Sequence, residues 1–132
     1  MLLNRRDFLL LSTGLLAGCS STENHGSPSP LKERTVSAGL LTDYAADGVY
    51  TRFRDQGFFL VRTGGSLTAL SSICTHRKCK LTAEPDRSYY CKCHGSTFDA
   101  AGHVMNGPAR RDLPVLRTTT DAAGNLWVHV PA

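Results

Sequence analysis

Two short segments constrain this chain more than anything else in it. They read Cys74-Thr75-His76-Arg77-Lys78-Cys79 and Cys91-Lys92-Cys93-His94-Gly95-Ser96, and they hold four of the five cysteines. The surrounding stretch, about residues 72–110, also carries three histidines and few core-type side chains. Such a stretch cannot hold itself together by apolar burial alone and needs a covalent or metal staple. Any fold this chain adopts must bring the two segments together.

The rest of the domain reads as short strands. From residue 31 on, apolar runs alternate with turn signals every eight to twelve residues, with candidate strands at 35–40, 49–53, 58–62, 67–71, 88–90, 115–119 and 126–130. These runs are rich in Val, Leu, Phe, Tyr and Thr, which favour a pleated, half-buried surface. Gly64-Gly65 and the run Asp121-Ala122-Ala123-Gly124-Asn125 mark hairpin turns. No segment after residue 30 keeps a 3.6-residue apolar period over ten residues. The expectation is a small antiparallel all-β domain with an inserted metal- or disulfide-stapled subdomain. With 132 residues in the chain, one folded domain is expected, over 32–132.

The first thirty residues read differently. A basic pair, Arg5-Arg6, precedes an eleven-residue apolar stretch from Phe8 to Gly18, which ends in small residues. That stretch is short of the roughly 20 residues a spanning helix needs and fits an export signal. Asn4-Arg5-Arg6-Asp7-Phe8-Leu9 resembles the twin-arginine signal, a route taken by folded proteins. Leu16-Ala17-Gly18-Cys19 resembles the bacterial lipobox, in which the signal is cut before the cysteine and the cysteine is lipidated. The resemblances imply a signal at 1–18, a lipid on Cys19, a flexible Ser/Pro-rich tether over 19–31, and a place on the periplasmic face of a cell-envelope membrane. His25 lies in the tether and is given no role.

Charge excludes little but argues against nucleic acid. The formal net charge is +4, and losing residues 1–18 removes two cations and one anion, leaving +3. No basic run interleaved with aromatics accompanies it.

The two Cys/His segments resemble the Rieske iron–sulfur domain, whose pattern is C-x-H in one loop and C-x-x-H in another. Here these are Cys74/His76 and Cys91/His94, with fourteen residues between the motifs. The resemblance implies one [2Fe–2S] cluster, two thiolates on one iron and two imidazoles on the other. Neutral imidazole in place of thiolate makes the cluster easier to reduce, about −150 to +300 mV against about −400 mV for plant-type all-Cys clusters. In cytochrome bc-type members the cysteines at the positions of Cys79 and Cys93 form a disulfide. Its chain-entropy worth here is about 3 kcal/mol, and an oxidising envelope permits it. Gly107-Pro108-Ala109 resembles the family's third loop, and Ser96 matches a position whose hydroxyl bonds a bridging sulfide. His103 and His129 are expected on the surface or in a strand, Met105 packed near the third loop and Trp127 in the core. A structural zinc site suits two Cys and two His, but explains neither Cys79 and Cys93 nor the third loop. A pure two-disulfide scaffold leaves His76 and His94 without a role.

Two departures from the cytochrome bc-type pattern matter. Arg77-Lys78 stands where those members have Leu-Gly. Two cations would be costly to desolvate in an apolar quinol pocket and suit an acidic docking face, with Lys80 and Lys92 extending the rim. Phe98 stands where high-potential members have Tyr, so a hydroxyl donor to a ligand sulfur is missing. The expected potential lies below that of quinol-oxidising relatives and above plant-type ferredoxins.

The implied function is single-electron transfer without independent catalysis. The expected partners are a c-type cytochrome, a copper protein or a larger oxidoreductase subunit. The alternatives are the Rieske subunit of a quinol–cytochrome c oxidoreductase and a zinc-stabilised binding module.

Overall fold

The computed structural model describes residues 32–132. The signal at 1–18 and the whole tether at 19–31, with Cys19, lie outside these residues. Among the described residues no helix is long and apolar enough to cross a membrane.

Among the described residues eleven strands form three antiparallel sheets. They are β1 (Glu33–Leu40), β2 (Gly48–Tyr50), β3 (Phe58–Thr63), β4 (Ser66–Ser71), β5 (Thr82–Ala83), β6 (Tyr89–Tyr90), β7 (Thr97–Phe98), β8 (Val104–Asn106), β9 (Val115–Leu116), β10 (Thr118–Thr120) and β11 (Asn125–Pro131). One sheet runs β1-β11-β10, a second β2-β3-β4-β9, and the third, β5-β6-β7-β8, is the inserted subdomain. Two short 3₁₀ turns, Leu41–Tyr44 and Arg54–Gln56, fill the connections. Gly64-Gly65 closes the β3–β4 hairpin between the paired Thr63 and Ser66.

The centre of the second sheet is buried on both faces, as β3 shows. Successive side chains of a strand point to opposite faces. Phe58 and Leu60 join Ala38, Ala69, Leu126, Val128 and Val130 in one core, between the first two sheets. Phe59 and Val61 face the other way and join Leu70, Leu81, Tyr89 and Phe98 under the inserted subdomain. The run Phe-Phe-Leu-Val is therefore apolar without alternation because both sides are covered. Phe58 stacks on Phe53 at 4.9 Å and Phe59 on Tyr89 at 5.1 Å, so one dipeptide anchors both cores. Each fully buried Phe contributes about 1.5–3 kcal/mol. Tyr89 is itself so enclosed that burial, then the charge of Asp99, pushes its hydroxyl up to about 12.

Three expectations from sequence need correction. The run 115–119 is two strands: β9 pairs with β4 and β10 with β11, so the chain changes sheets at Arg117. Trp127 is not in the core. On β11 it is Leu126, Val128 and Val130 that point inward, and Trp127 lies on the outer face, 36% exposed. Met105 is 59% exposed on β8 rather than packed. His129 sits on β11 with Arg117 and Thr119 against its ring nitrogens, and His103 pairs with Asp112, as side chains outside any ligand set.

Candidate metal centre

The two Cys/His segments fold into matched turns. After β4, the Cys74 N–H donates to Cys79 O (2.7 Å) and the Lys78 N–H to Cys74 O (3.0 Å). Between β6 and β7, the Cys91 N–H donates to Ser96 O (2.8 Å) and the Gly95 N–H to Cys91 O (2.9 Å). The closures are the same, residue for residue, so Cys74 corresponds to Cys91, Lys78 to Gly95 and Cys79 to Ser96. Both turns need a left-handed residue four places after the first cysteine, Lys78 (φ +52°) and Gly95 (φ +79°). Glycine accepts this freely, whereas a side chain costs about 1–2 kcal/mol.

A disulfide between Cys79 and Cys93 ties the two turns, with Cα atoms 6.6 Å apart. It sets His76 and His94 edge to face, ring centroids 4.8 Å apart and planes at 83°. Cys74 and Cys91 are buried and unbonded, within the apolar group of Phe59, Leu81, Tyr89 and Phe98. The sulfurs of Cys79, Cys91 and Cys93 lie within 4.8 Å of one another. A disulfide offers no thiolate, so that trio is not a donor set; Cys74 and Cys91 are the thiols the geometry leaves for metal.

The donor set fits a metal group on a direct observation. His76 Nδ1 is closed off from solvent and has no hydrogen-bond partner. An orphaned buried polar atom costs about 1–3 kcal/mol, and native structures avoid it unless something else satisfies it. His76 is also held below the usual imidazole range, first by burial, then by His94 and Arg77, so its ring is neutral, the form that ligates metals. Two buried thiols and two adjacent imidazoles make a mixed S₂N₂ set.

A third loop closes over the site. Gly107 (φ +93°) approaches the second turn so closely that a Cβ there would sit 2.5 Å from Ser96 Cα. Ser96 is fully buried, and its Oγ accepts from the Ala109 N–H at 3.1 Å. The Thr75 hydroxyl donates to Arg111 O at 2.7 Å, pinning the same loop to the first turn. Between them runs an open groove of about 490 Å³, lined by Thr75, His76, Gly107, Pro108, Arg110 and Arg111. Thr75 and Ala109 lie inside the motifs read from sequence, but Arg110 and Arg111 carry no motif of their own. Only their position after Gly107-Pro108-Ala109 points to them.

The basic rim differs from expectation at one residue. Lys80 is paired with Asp55 at 3.3 Å, a carboxylate that also meets Arg54. Lys92 is exposed, as are Arg77 and Lys78. Phe98 is fully buried beside Cys74 and Cys91 and presents only carbon to them.

Residues 38–117 match the family described as "Rieske [2Fe-2S] domain". Over 112 residues the chain is 31% identical to the cytochrome b6-f complex iron-sulfur subunit 2 of Trichormus variabilis, covering 80% of this chain and 58% of that protein. It is 34% identical over 101 residues to a putative respiratory nitrate reductase subunit Rieske of Haloferax mediterranei, covering 75% and 42%. The chain spans about one third to three fifths of the length of these curated relatives. Among solved structures, the cyanobacterial plasma membrane Rieske protein of Synechocystis PCC 6803 superposes with a TM-score of 0.53 at 32% identity, covering 70% of this chain and 97% of that one. Matched turns, a mixed donor set and a third loop over them thus agree with relatives found by sequence and by fold: the chain belongs to the Rieske [2Fe–2S] domain family, whose cofactor is one [2Fe–2S] cluster.

Proposed function

We propose that this protein transfers single electrons through a [2Fe–2S] cluster held by Cys74 and Cys91 on one iron and His76 and His94 on the other. The observation that carries the reading is the orphaned Nδ1 of His76, beside His94 and between two turns that each offer one buried thiol. The cluster, when bound, accepts and releases one electron. The chain's own part is to hold it. The disulfide fixes the distance between the turns, the apolar group around the cysteines keeps water from the sulfurs, and Ser96, Gly107 and Pro108 close the third side. With its Oγ accepting from Ala109, Ser96 keeps its own proton free to donate towards the cluster.

The partner is another redox protein: a c-type cytochrome, a copper protein or a larger oxidoreductase subunit. The relatives named as subunits of cytochrome b6-f and nitrate reductase support that setting. The cytochrome b6-f relatives also favour a second reading, the Rieske subunit of a quinol-oxidising complex. Arg77-Lys78 at the tip of the first turn favours the soluble-partner reading instead. The place of action is the periplasmic face of a membrane, reached by the twin-arginine route and held by a lipid on Cys19. Support for this is the sequence Asn4-Arg5-Arg6-Asp7 and Leu16-Ala17-Gly18-Cys19.

EPR of the dithionite-reduced holoprotein tests the ligand set. A spectrum with average g below that of all-Cys clusters is expected, lost in Cys91→Ser and His94→Ala. A zinc-loaded, EPR-silent protein overturns it. Mass spectrometry of membrane fractions tests the lipid: an unmodified Cys19, or an uncut signal, rules it out.

A further inference from the structure

The cluster end carries five cations that the described fold does not neutralise. Arg77, Lys78 and Lys92 lie in the two matched turns, and Arg110 and Arg111 follow the third loop beside His76. All five are exposed, and among the described residues none has a carboxylate within 4 Å, whereas Lys80, Arg54 and Arg117 are paired. Residues 32–132 hold thirteen Lys and Arg and nine Asp and Glu, a net +4. These five cations exceed that whole excess, so the rest of the domain is net −1. The positive field is thus concentrated at the end where the two histidine rings meet.

Lys78 adds an independent observation. It holds the left-handed position that the matching turn gives to Gly95. Lys78 lines a groove between the first turn and the two-sheet body, with Asp55, Ile73, Pro114 and Val130, while Arg110 and Arg111 line the groove beside His76. A cation is kept where the backbone favours glycine, and strain of this kind gathers at functional surfaces.

We infer that Arg77, Lys78, Lys92, Arg110 and Arg111 form a docking collar for the acidic face of a redox protein, steering it onto the His76–His94 end. The inference rests on the proposed electron-transfer function and names the chemistry of the partner. An anionic membrane would meet the same charge, but a lipid surface takes no electron, and the cations surround the one end from which an electron can leave. Steering by such a field raises encounter rates at low salt and fades as salt screens it.

Stopped-flow oxidation of the reduced full-length holoprotein tests this, with an acidic and a basic c-type cytochrome as probes. The pair Arg110→Gln/Arg111→Gln is compared with Arg52→Gln/Arg62→Gln, which removes the same net charge from β3 and the turn before it, outside the two cluster turns and the third loop. At about 10 mM ionic strength, where screening extends over about 30 Å, the collar pair should slow the acidic probe by about threefold to tenfold. The control pair should change it by less than half as much, and the difference should vanish at high salt. The basic probe should not slow. EPR line shape, unchanged in both variants, separates a failed collar from a failed cluster assignment. Equal slowing by both pairs, or no slowing by either, overturns the collar. So does collar-dependent flotation with phosphatidylglycerol vesicles without any change in electron-transfer rate.

Discussion

The two-sheet body and the inserted subdomain are held together by different physics. Between β1-β11-β10 and β2-β3-β4-β9, ten buried residues from Ala38 to Val130 form a continuous apolar core. The subdomain offers strands of two or three residues and shares its apolar group with the cluster cysteines. Its cohesion comes from one disulfide, from turns closed on their own carbonyls, and from a donor set that would hold a metal cluster. The body can therefore tolerate what the subdomain cannot, and the reverse. Loss of metal should loosen the inserted subdomain while leaving the two-sheet body intact.

Phe58→Ala should show the largest effect. It removes a ring at 0% exposure and its stack on Phe53, and the unfolding free energy from urea titration should fall by about 3–5 kcal/mol. The cluster spectrum of the folded fraction should stay unchanged, because Phe58 faces away from the subdomain. A changed spectrum would break the separation of the two cores. Cys79→Ser/Cys93→Ser should cost about 3 kcal/mol at most, concentrated in the cluster. Iron should leave faster on chelation, while hydrogen exchange in β3 and β11 stays slow. Equal deprotection of β11 would mean that the two regions unfold as one. Gly107→Ala should cost about 1–3 kcal/mol, from a Cβ forced against Ser96 Cα at a left-handed φ. Its signature is altered EPR anisotropy together with a melting temperature lowered by about 4–8 °C per kcal/mol lost.

Smaller effects sharpen the contrast within the subdomain. Lys78→Gly relieves about 1–2 kcal/mol of left-handed strain against about 0.5–1 kcal/mol of extra chain entropy. A gain of about 0.5–1 kcal/mol in stability follows, together with slower oxidation by an acidic probe. The smallest effect is electrostatic. Asp112, hydrogen-bonded to His103, raises the His103 pKa and is itself held low, first by that bond and then by the Val104 N–H. The histidine's contribution is whole below its unfolded value of about 6.5 and is lost as pH rises through the raised folded value. The carboxylate's is whole above about 3.9 and is lost as pH falls through the lowered folded value. Both groups are exposed, so the third loop should be firmest between these limits, as NMR titration of His103 and hydrogen exchange at Val104 can check. An Asp112→Asn variant with the same profile would remove this pair from the account.

The body and the two motifs were legible in the chain for different reasons. Strands β1, β3, β4 and β11 were legible because each is six residues or longer and rich in apolar, β-branched or aromatic side chains. Strands β5, β7 and β8 were not, because two or three residues show no period. The break at Arg117 was hidden because the apolar and Thr-rich run continues across it while its hydrogen bonds change sheets. Trp127 misled for a related reason: a large aromatic suggests a core, yet its place in the alternation of β11 puts it outside.

The spacing of Cys74, His76, Cys91 and His94, the strand-forming runs and the glycine turns were all readable along the chain, because each depends on residues a few positions apart. Contacts between distant segments were decided only in three dimensions. These are the approach of Gly107 to Ser96, the bond from Ala109 to Ser96 Oγ, the hydroxyl of Thr75 on Arg111 and the gathering of Arg110 and Arg111 beside His76. The physical reason is that turn closure and alternation are local. Which loop covers which turn depends instead on how the β3 face is shared between two cores, and no short stretch of sequence encodes that.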